Sequence, residues 1–267
     1  MKKFPLSKLL PVFFGVFIFF AANAQRLPNV QQVSLRAPAD IKIDGKATEW
    51  NNHFQAYNDT THVYYTIAND DKNLYLTVQA SDRGIIRMIM VNGVSFTIDR
   101  LRRVKKDLFN NYYPSITYPT REKENGTYGY GVYVDSSETK LRMDSFAMAY
   151  NRHLAADSKY IRVTGIRTLA ELTLINNRGG IKVASMFDNK MVYTYELAID
   201  LSLLGLDAAK SEKFDYNIAI GEGHISEFSR AQGARIISVS YTAQPNDPYN
   251  PHGYIPADFW GEYTLAK

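Results

Sequence analysis

The chain has no cysteine among its 267 residues, and this absence excludes several kinds of chemistry. Disulfides, thiolate metal sites and a cysteine nucleophile are all impossible. A lipid anchor attached through an N-terminal cysteine is excluded for the same reason. The fold must therefore be stabilised by its apolar core, and the length is sufficient for one all-β domain or two small ones.

Long apolar runs are also scarce. The main one covers residues 9–20, which is shorter than the roughly 20 residues that a membrane span needs. Three lysines precede this run and Ala22-Asn23-Ala24 follows it, an arrangement typical of a cleavable signal peptide. We predict a signal peptide at residues 1–24 and an exported protein that is periplasmic, outer-membrane associated or extracellular. An uncleaved anchor is the alternative, and no membrane span is predicted after signal removal.

The chain also lacks a large excess of charge of one sign. Its formal net charge is +4, from 31 Lys and Arg residues against 27 Asp and Glu residues. Three of the lysines belong to the predicted signal peptide, so the remaining chain carries 28 basic against 27 acidic residues, a net charge of +1. A balance this close to neutral does not indicate a nucleic-acid partner. The local basic cluster at residues 100–106 is interpreted as a solvated loop or turn.

Common catalytic motifs are absent as well. There is no G-x-S-x-G, no H-E-x-x-H and no P-loop. Glycoside hydrolysis would need a second carboxylate about 5–10 Å from Glu196, and spacing in the sequence does not establish such a distance. We interpret Glu196 as a structural acid bonded to backbone groups or to an arginine. The sequence therefore predicts a non-enzymatic protein, with no metal and no cofactor.

The clearest structural signal that is present covers Met191–Leu206. Alternate residues from Tyr193 onward are apolar or aromatic, which is typical of a β-strand with one buried face. Gly205 follows as the residue that ends a short helical turn. Because such a strand needs a second sheet over it, we predict a mainly β fold, a two-layer antiparallel β-sandwich. The residues on the apolar face are Tyr193, Tyr195, Leu197, Ile199 and Leu201.

Other segments predict further strands and one helix. Thr61–Ala68 and Leu74–Ala80 alternate and flank a turn, which indicates a hairpin. Ile85–Val91 and Val94–Ile98 flank Asn92-Gly93, and this predicts a second hairpin. A loose helical period begins near residue 136 and runs to about residue 157, so one inserted helix is expected there. We predict a single sandwich domain over residues 25–267, with an insertion at about residues 100–180.

Three of these motifs together resemble a known family. They are Ile43-Asp44-Gly45 followed by Glu49-Trp50, the hairpin between residues 61 and 80, and Tyr195–Ile199 followed by Leu204-Gly205. In this order they resemble the family 9 carbohydrate-binding modules and their DOMON-like relatives, over about half of the chain. The resemblance implies a two-sheet β-sandwich that is extracytoplasmic and non-catalytic. It also implies that Trp50 packs within the fold.

The candidate binding residues are Tyr112, Tyr113 and Tyr118. A pyranose has an apolar face that can lie on an aromatic ring, and its hydroxyls need polar partners nearby. These three tyrosines share an irregular segment with Asn110, Asn111 and Arg121, which offers both requirements. The alternative is that the rings cover the edge of the sandwich.

The resulting functional hypothesis is a secreted, non-catalytic, carbohydrate-binding-like module whose ligand is a glycan or an envelope component. A first alternative is a structural or assembly protein of the periplasm or outer membrane, which would dock on an envelope protein. A second alternative is a haem- or metal-binding DOMON-like domain with methionine and histidine ligands. The spacing of methionines and histidines in this chain singles out no pair of haem ligands, so core filling by methionine is the simpler interpretation.

Overall fold

A computed structural model of the chain describes residues 26–51, 53–100, 113–120, 140–221 and 257–267. Within these residues the fold is mainly β, with eleven strands in two antiparallel sheets and three α-helices. The elements are β1 Ala56–Asn58, β2 Val63–Asn69, β3 Asn73–Ala80, α1 Arg83–Asn92, β4 Val94–Asp99, β5 Ser115–Thr120, α2 Lys140–Asp157, β6 Tyr160–Thr164, β7 Leu172–Leu174, β8 Ile181–Phe187, β9 Tyr193–Asp200, α3 Leu201–Leu204, β10 Lys213–Ile220 and β11 Ala257–Thr264. The predicted antiparallel β-sandwich is confirmed.

The first sheet has the strand order β1-β2-β3-β9-β8, and the second has the order β11-β10-β4-β5-β6-β7. Strand β9 lies between β3 and β8 in the first sheet. The four side chains that it directs toward the second sheet are fully buried, as the alternation in the sequence predicts. Gly205 has φ +59 directly after α3, so the predicted end of that helical turn is confirmed. The inward side chains of β9 are Tyr193, Tyr195, Leu197 and Ile199.

The predicted second hairpin is wrong, because its first strand is helix α1. The Asp82 carboxylate accepts hydrogen bonds from the amides of Gly84 at 2.8 Å and Ile85 at 3.0 Å, which stabilises the start of a helix. The apolar side chains recur at helical spacing and are buried together. Gly93 has φ +83 and its amide bonds the Ile89 carbonyl, so Asn92-Gly93 ends a helix instead of joining two strands. The buried residues of α1 are Ile85, Ile86, Ile89 and Met90.

The helix predicted between residues 136 and 157 is confirmed over Lys140–Asp157 as α2, and residues 136–139 lie outside the described residues. The described part of residues 100–180 also supplies β5, β6 and β7, which extend the second sheet beyond β4. These strands are therefore part of the sandwich. Helix α2 packs against β8, which is an edge strand of the first sheet.

A third layer covers part of the outer face of the first sheet. Trp50 and Phe54 pack with Ala47 and Ala68 in an apolar cluster that is separate from the core between the sheets. Four partly buried residues before the first strand pack against the same cluster. Strand β9 is consequently buried on both faces over most of its length. The four additional residues are Leu27, Leu35, Ala37 and Ile41.

Side-chain amides bind the open backbone groups at two edges of the first sheet. Beyond the end of β1, Gln31 bonds both the amide and the carbonyl of Ile67, each at 2.8 Å. At the opposite edge, Asn151 of α2 bonds the amide of Phe187 at 2.7 Å and its carbonyl at 2.9 Å. An amide side chain has a donor and an acceptor like a peptide group, so each one replaces part of a neighbouring strand.

Candidate functional site

Of the three tyrosines that the sequence groups together, the structure describes Tyr113 and Tyr118 and places them in different surroundings. Tyr112 lies outside the described residues. Tyr113 is half-buried just before β5, with its backbone so close to Gly165 that a Cβ there would lie 2.2 Å from the Tyr113 carbonyl oxygen. Tyr118 is only 4 % exposed, and its ring stacks on that of Tyr195 at a centroid distance of 5.9 Å. Tyr118 therefore contributes to the packing between the sheets.

A different set of side chains crosses the outer face of the first sheet. The strand register places Tyr57 opposite Tyr64, Tyr64 opposite Gln79, Gln79 opposite Thr194, and Thr194 opposite Met186. Residues directly opposite one another in an antiparallel pair point to the same face. We call these five residues the outer row. It crosses all five strands of the sheet, from β1 to β8.

One end of the outer row is aromatic. The rings of Tyr57 and Tyr64 lie 4.6 Å apart at an interplanar angle of 49°, and Phe54 lies 5.8 Å from Tyr64. Tyr64 is 36 % exposed, and no other tyrosine, phenylalanine or tryptophan in the described residues is as exposed. These rings form an aromatic surface that is open to solvent at Tyr64.

Polar groups surround this aromatic surface. The Tyr57 hydroxyl lies 3.2 Å from Nδ1 of His62. Burial raises the pKa of Tyr57, and the nearby Tyr64, Asp59 and Asp82 raise it further, so two carboxylates lie within electrostatic reach of its hydroxyl. Farther along the outer row, the Gln79 side chain donates a hydrogen bond of 3.1 Å to the Thr194 hydroxyl. Donors and acceptors are therefore available beside the rings.

The outer row is bordered along one side by residues 44–54, which we call the outer segment; residue 52 lies outside the described residues. At one end of the segment, Gly45 has φ +84 and lies directly on the backbone of β8. A Cβ at Gly45 would be 2.7 Å from the carbonyl carbon of Ser185 and 2.8 Å from the amide nitrogen of Met186. At the other end, Phe54 contacts Tyr64. The outer segment therefore borders the row from Met186 to Tyr64.

Glu196 connects the outer segment to the sheet. It lies two residues beyond Thr194 on the same face of β9, and its Oε2 accepts hydrogen bonds from the amides of Asp44 at 3.0 Å and Gly45 at 2.9 Å. Opposite Glu196 on β3, Thr77 accepts a hydrogen bond of 2.9 Å from Nε1 of Trp50. The interpretation of Glu196 as a structural acid bonded to backbone is confirmed, and Trp50 packs within the fold.

Only one of the two oxygens of the Glu196 carboxyl has hydrogen-bond partners in the described residues. The residue is 0 % exposed, and its Oε1 has no hydrogen-bond partner within the described parts of the chain. The pKa of Glu196 is raised to about 7, mainly by burial. The hydrogen bonds from the amides of Asp44 and Gly45 lower this pKa, and the carboxylates of Glu49 and Asp44 raise it. Near neutral pH this carboxyl changes its charge inside the protein.

A second surface feature lies at the end of β6. It is an open groove of about 620 Å³ between residues 163 and 171. The guanidinium of Arg162 bonds the Glu171 carboxylate at 2.6 Å beside it. The described lining of this groove contains no aromatic ring, whereas the outer row has two adjacent tyrosines.

No group of three or more histidines, aspartates and glutamates that could hold a metal ion occurs in the residues described by the structure. In the same residues, no helix combines the length and the apolar character that a bilayer span requires. Fold and site together define an antiparallel β-sandwich with an aromatic surface on a covered sheet. Neither the protein-family models nor the curated proteins include a match to this chain.

Proposed function

We propose that this chain is an exported, non-catalytic β-sandwich that binds a glycan of the cell envelope or its surroundings along the outer row. The observation that carries the proposal is the pair of outward-facing tyrosines, Tyr57 and Tyr64, on adjacent strands. The resemblance of three sequence motifs to family 9 carbohydrate-binding modules and DOMON-like domains supports the same class of function.

The chemistry of the outer row fits a sugar. The apolar face of a pyranose ring stacks on an exposed aromatic ring such as Tyr64, whose ring is tilted by 49° against Tyr57 and by 42° against Phe54. The ring hydroxyls need donors and acceptors, which the half-buried amide of Gln79 supplies next to Tyr64; Thr194, which accepts from Gln79, is only 5 % exposed. Five strands with a spacing of about 4.8 Å give a row roughly 19 Å long. The stretch from Tyr57 to Gln79, which is exposed or half-buried, spans three of these strands, roughly 10 Å, and this length suits one or two sugar rings.

Binding to a panel of soluble polysaccharides and peptidoglycan fragments, measured by affinity electrophoresis and calorimetry, tests the proposal. We expect Tyr64→Ala to weaken the binding of the best ligand at least about tenfold, which corresponds to 1.4 kcal/mol. Tyr64→Phe should retain most of the affinity, because the ring is kept. Leu174→Ala is the matched control, since Leu174 is 50 % exposed on the other sheet.

The same measurement separates the outer row from the tyrosines favoured by the sequence. A double variant with alanine at Tyr112 and Tyr113 tests that group and keeps Tyr118, whose ring lies in the core between the sheets. A loss of affinity in this variant, with Tyr64→Ala unaffected, would move the site to the segment before β5. Binding that no tyrosine substitution changes, or no binding to any member of the panel, would overturn the proposal.

A further inference from the structure

We propose that Glu196 is a positioning residue that links the outer segment, and through it the outer row, to pH. In its neutral form Glu196 keeps the segment against the sheet, and in its charged form it favours release of the segment. The link to ligand binding rests on the proposed function, whereas the movement of the segment does not.

The geometry makes the charged form of Glu196 costly. Only Oε2 is bonded, by two backbone amides, and Oε1 is buried with no partner among the described residues. A buried carboxylate with an unpaired oxygen lacks the compensation that burial of a charge requires. When the segment leaves the sheet, water reaches the carboxyl and the cost disappears. The charged form is therefore more stable with the segment released.

The neighbouring charges act in the same direction. From the outer segment, the carboxylates of Asp44 and Glu49 face Glu196 and disfavour its charge. Lys46 is the one lysine in the outer segment, and its ammonium pairs with the carboxylate of Asp44 at 3.6 Å. The sheet neighbours of Glu196 in the register, Thr77 and Ala184, carry no charge.

The position of the segment matters for the outer row because the segment borders it at both ends. Gly45 lies on the backbone of Met186, and Phe54 lies against the ring of Tyr64. The two ends are joined through Trp50, whose indole bonds Thr77 and whose carbonyl accepts the amide of His53 at 2.8 Å. Release of the segment removes the contacts that position Tyr64 from that side.

Hydrogen exchange of individual amides, measured by NMR without any glycan, tests the inference. The reporters are the amides of Asp44 and Gly45, which bond Glu196, and that of His53 at the other end of the segment. We expect their protection factors, corrected for the intrinsic pH dependence of exchange, to fall about tenfold between pH 6 and pH 8. In Glu196→Gln, which keeps an acceptor for the two amides but has no charge, they should not change.

Two controls separate the effect of Glu196 on protection from other effects of pH. Both proteins in the comparison carry His53→Gln and His62→Gln, so that neither of these imidazoles enters the comparison, and the third reporter is then the amide of the glutamine at position 53. The amide of Leu197, in the core of β9, reports unfolding of the whole protein.

Three results would overturn the inference. The first is a pH-independent protection of Asp44 and Gly45 in the protein with Glu196. The second is protection equal to that of Leu197 at every pH, because the segment would then open only with the whole fold. The third is a fall in the protection of the Asp44 and Gly45 amides without a parallel fall at position 53. Release of the segment at Glu196 would then not extend to the outer row. A failure of glycan binding alone would contradict the proposed function and leave these results in place.

Discussion

Asn151 on α2 binds both backbone groups of Phe187 on β8, at 2.7 Å for the amide and 2.9 Å for the carbonyl. This side chain satisfies the backbone of one residue at the end of the edge strand and ties α2 to it. Because β8 would otherwise present unpaired backbone groups, the contact stabilises the sheet as well as the helix.

The variant Asn151→Ala should lower the free energy of unfolding by about 1–3 kcal/mol, since two partly buried backbone groups lose their partner. Urea denaturation measures the change. Arg152→Ala, at an exposed position on the same helix, is the control and should stay within about 0.5 kcal/mol of the unsubstituted protein. Equal values for the two variants would show that Asn151 has no special role.

Gly45→Ala should destabilise the protein by more than about 2 kcal/mol. The left-handed conformation costs a residue with a Cβ about 1–2 kcal/mol, and the new Cβ also meets the backbone of β8 at 2.7 Å. Gly179→Ala is the matched control, because the nearest atom to its Cβ is the end of the Leu169 side chain, at 2.4 Å, which can move. Urea denaturation of both variants gives the comparison, and a smaller loss for Gly45→Ala than for Gly179→Ala would contradict the packing described for the outer segment.

Asp70 should contribute stability that is lost in acid. Burial by itself would raise the pKa of Asp70, but hydrogen bonds from the Tyr75 hydroxyl and from the amides of Lys72 and Asn73 outweigh it and lower the pKa. A group with a lowered pKa in the folded state stabilises the fold above its unfolded pKa of about 3.9, and this contribution declines as pH falls further.

We expect Asp70→Asn to be less stable than the unsubstituted protein at pH 7, by about 1–2 kcal/mol, and the difference to shrink toward pH 3. Asp71→Asn, which changes an exposed neighbour in the same turn, should show a smaller difference at both values. Urea denaturation at several pH values measures both variants. A difference for Asp70→Asn that grows in acid would contradict the lowered pKa.

The contribution of Glu196 to stability depends on pH in the opposite direction. The pKa of Glu196 is raised from 4.5 to about 7 by burial, so its contribution is fully present below about pH 4.5 and is lost as pH rises through 7. Relative to Glu196→Gln, the protein with Glu196 should lose on the order of 2–3 kcal/mol of stability between pH 5 and pH 8. Denaturation midpoints of the two proteins at both pH values measure this difference, and parallel pH profiles would argue against it.

Much of the fold could be predicted because its signals are local. The alternation around Leu197, the hairpin of β2 and β3, and the glycine after α3 are each contained in one short stretch. Helix α1 was mispredicted because Ile85–Val91 is apolar enough for a strand, and Asn92-Gly93 suits either a hairpin or a helix end. Asp82 was the available signal, since a helix N-cap distinguishes the two.

The outer row could not be predicted, because its members become neighbours only through the register of five strands. No spacing in the sequence connects Tyr64 with Gln79 or Thr194. Tyr57 and Tyr64 were a partial signal, since two tyrosines at matching positions across a short turn face the same side of a hairpin. Tyr118 lies in strand β5. Its side chain points into the core because of the way β5 pairs with β4 and β6, and the sequence does not reveal that pairing.

The hydrogen bond between Asp44 and Glu196 joins positions that are 152 residues apart in the chain. Ribosomes deliver the chain N-terminus first, so residues 44–54 are made long before the strand on which they finally rest. Until β9 takes its place between β3 and β8, the amides of Asp44 and Gly45 have no Glu196 carboxyl to bond, and Gly45 has no β8 backbone to pack against. A segment that precedes the first strand of the sandwich thus reaches its final position only after strands much later in the chain have been made.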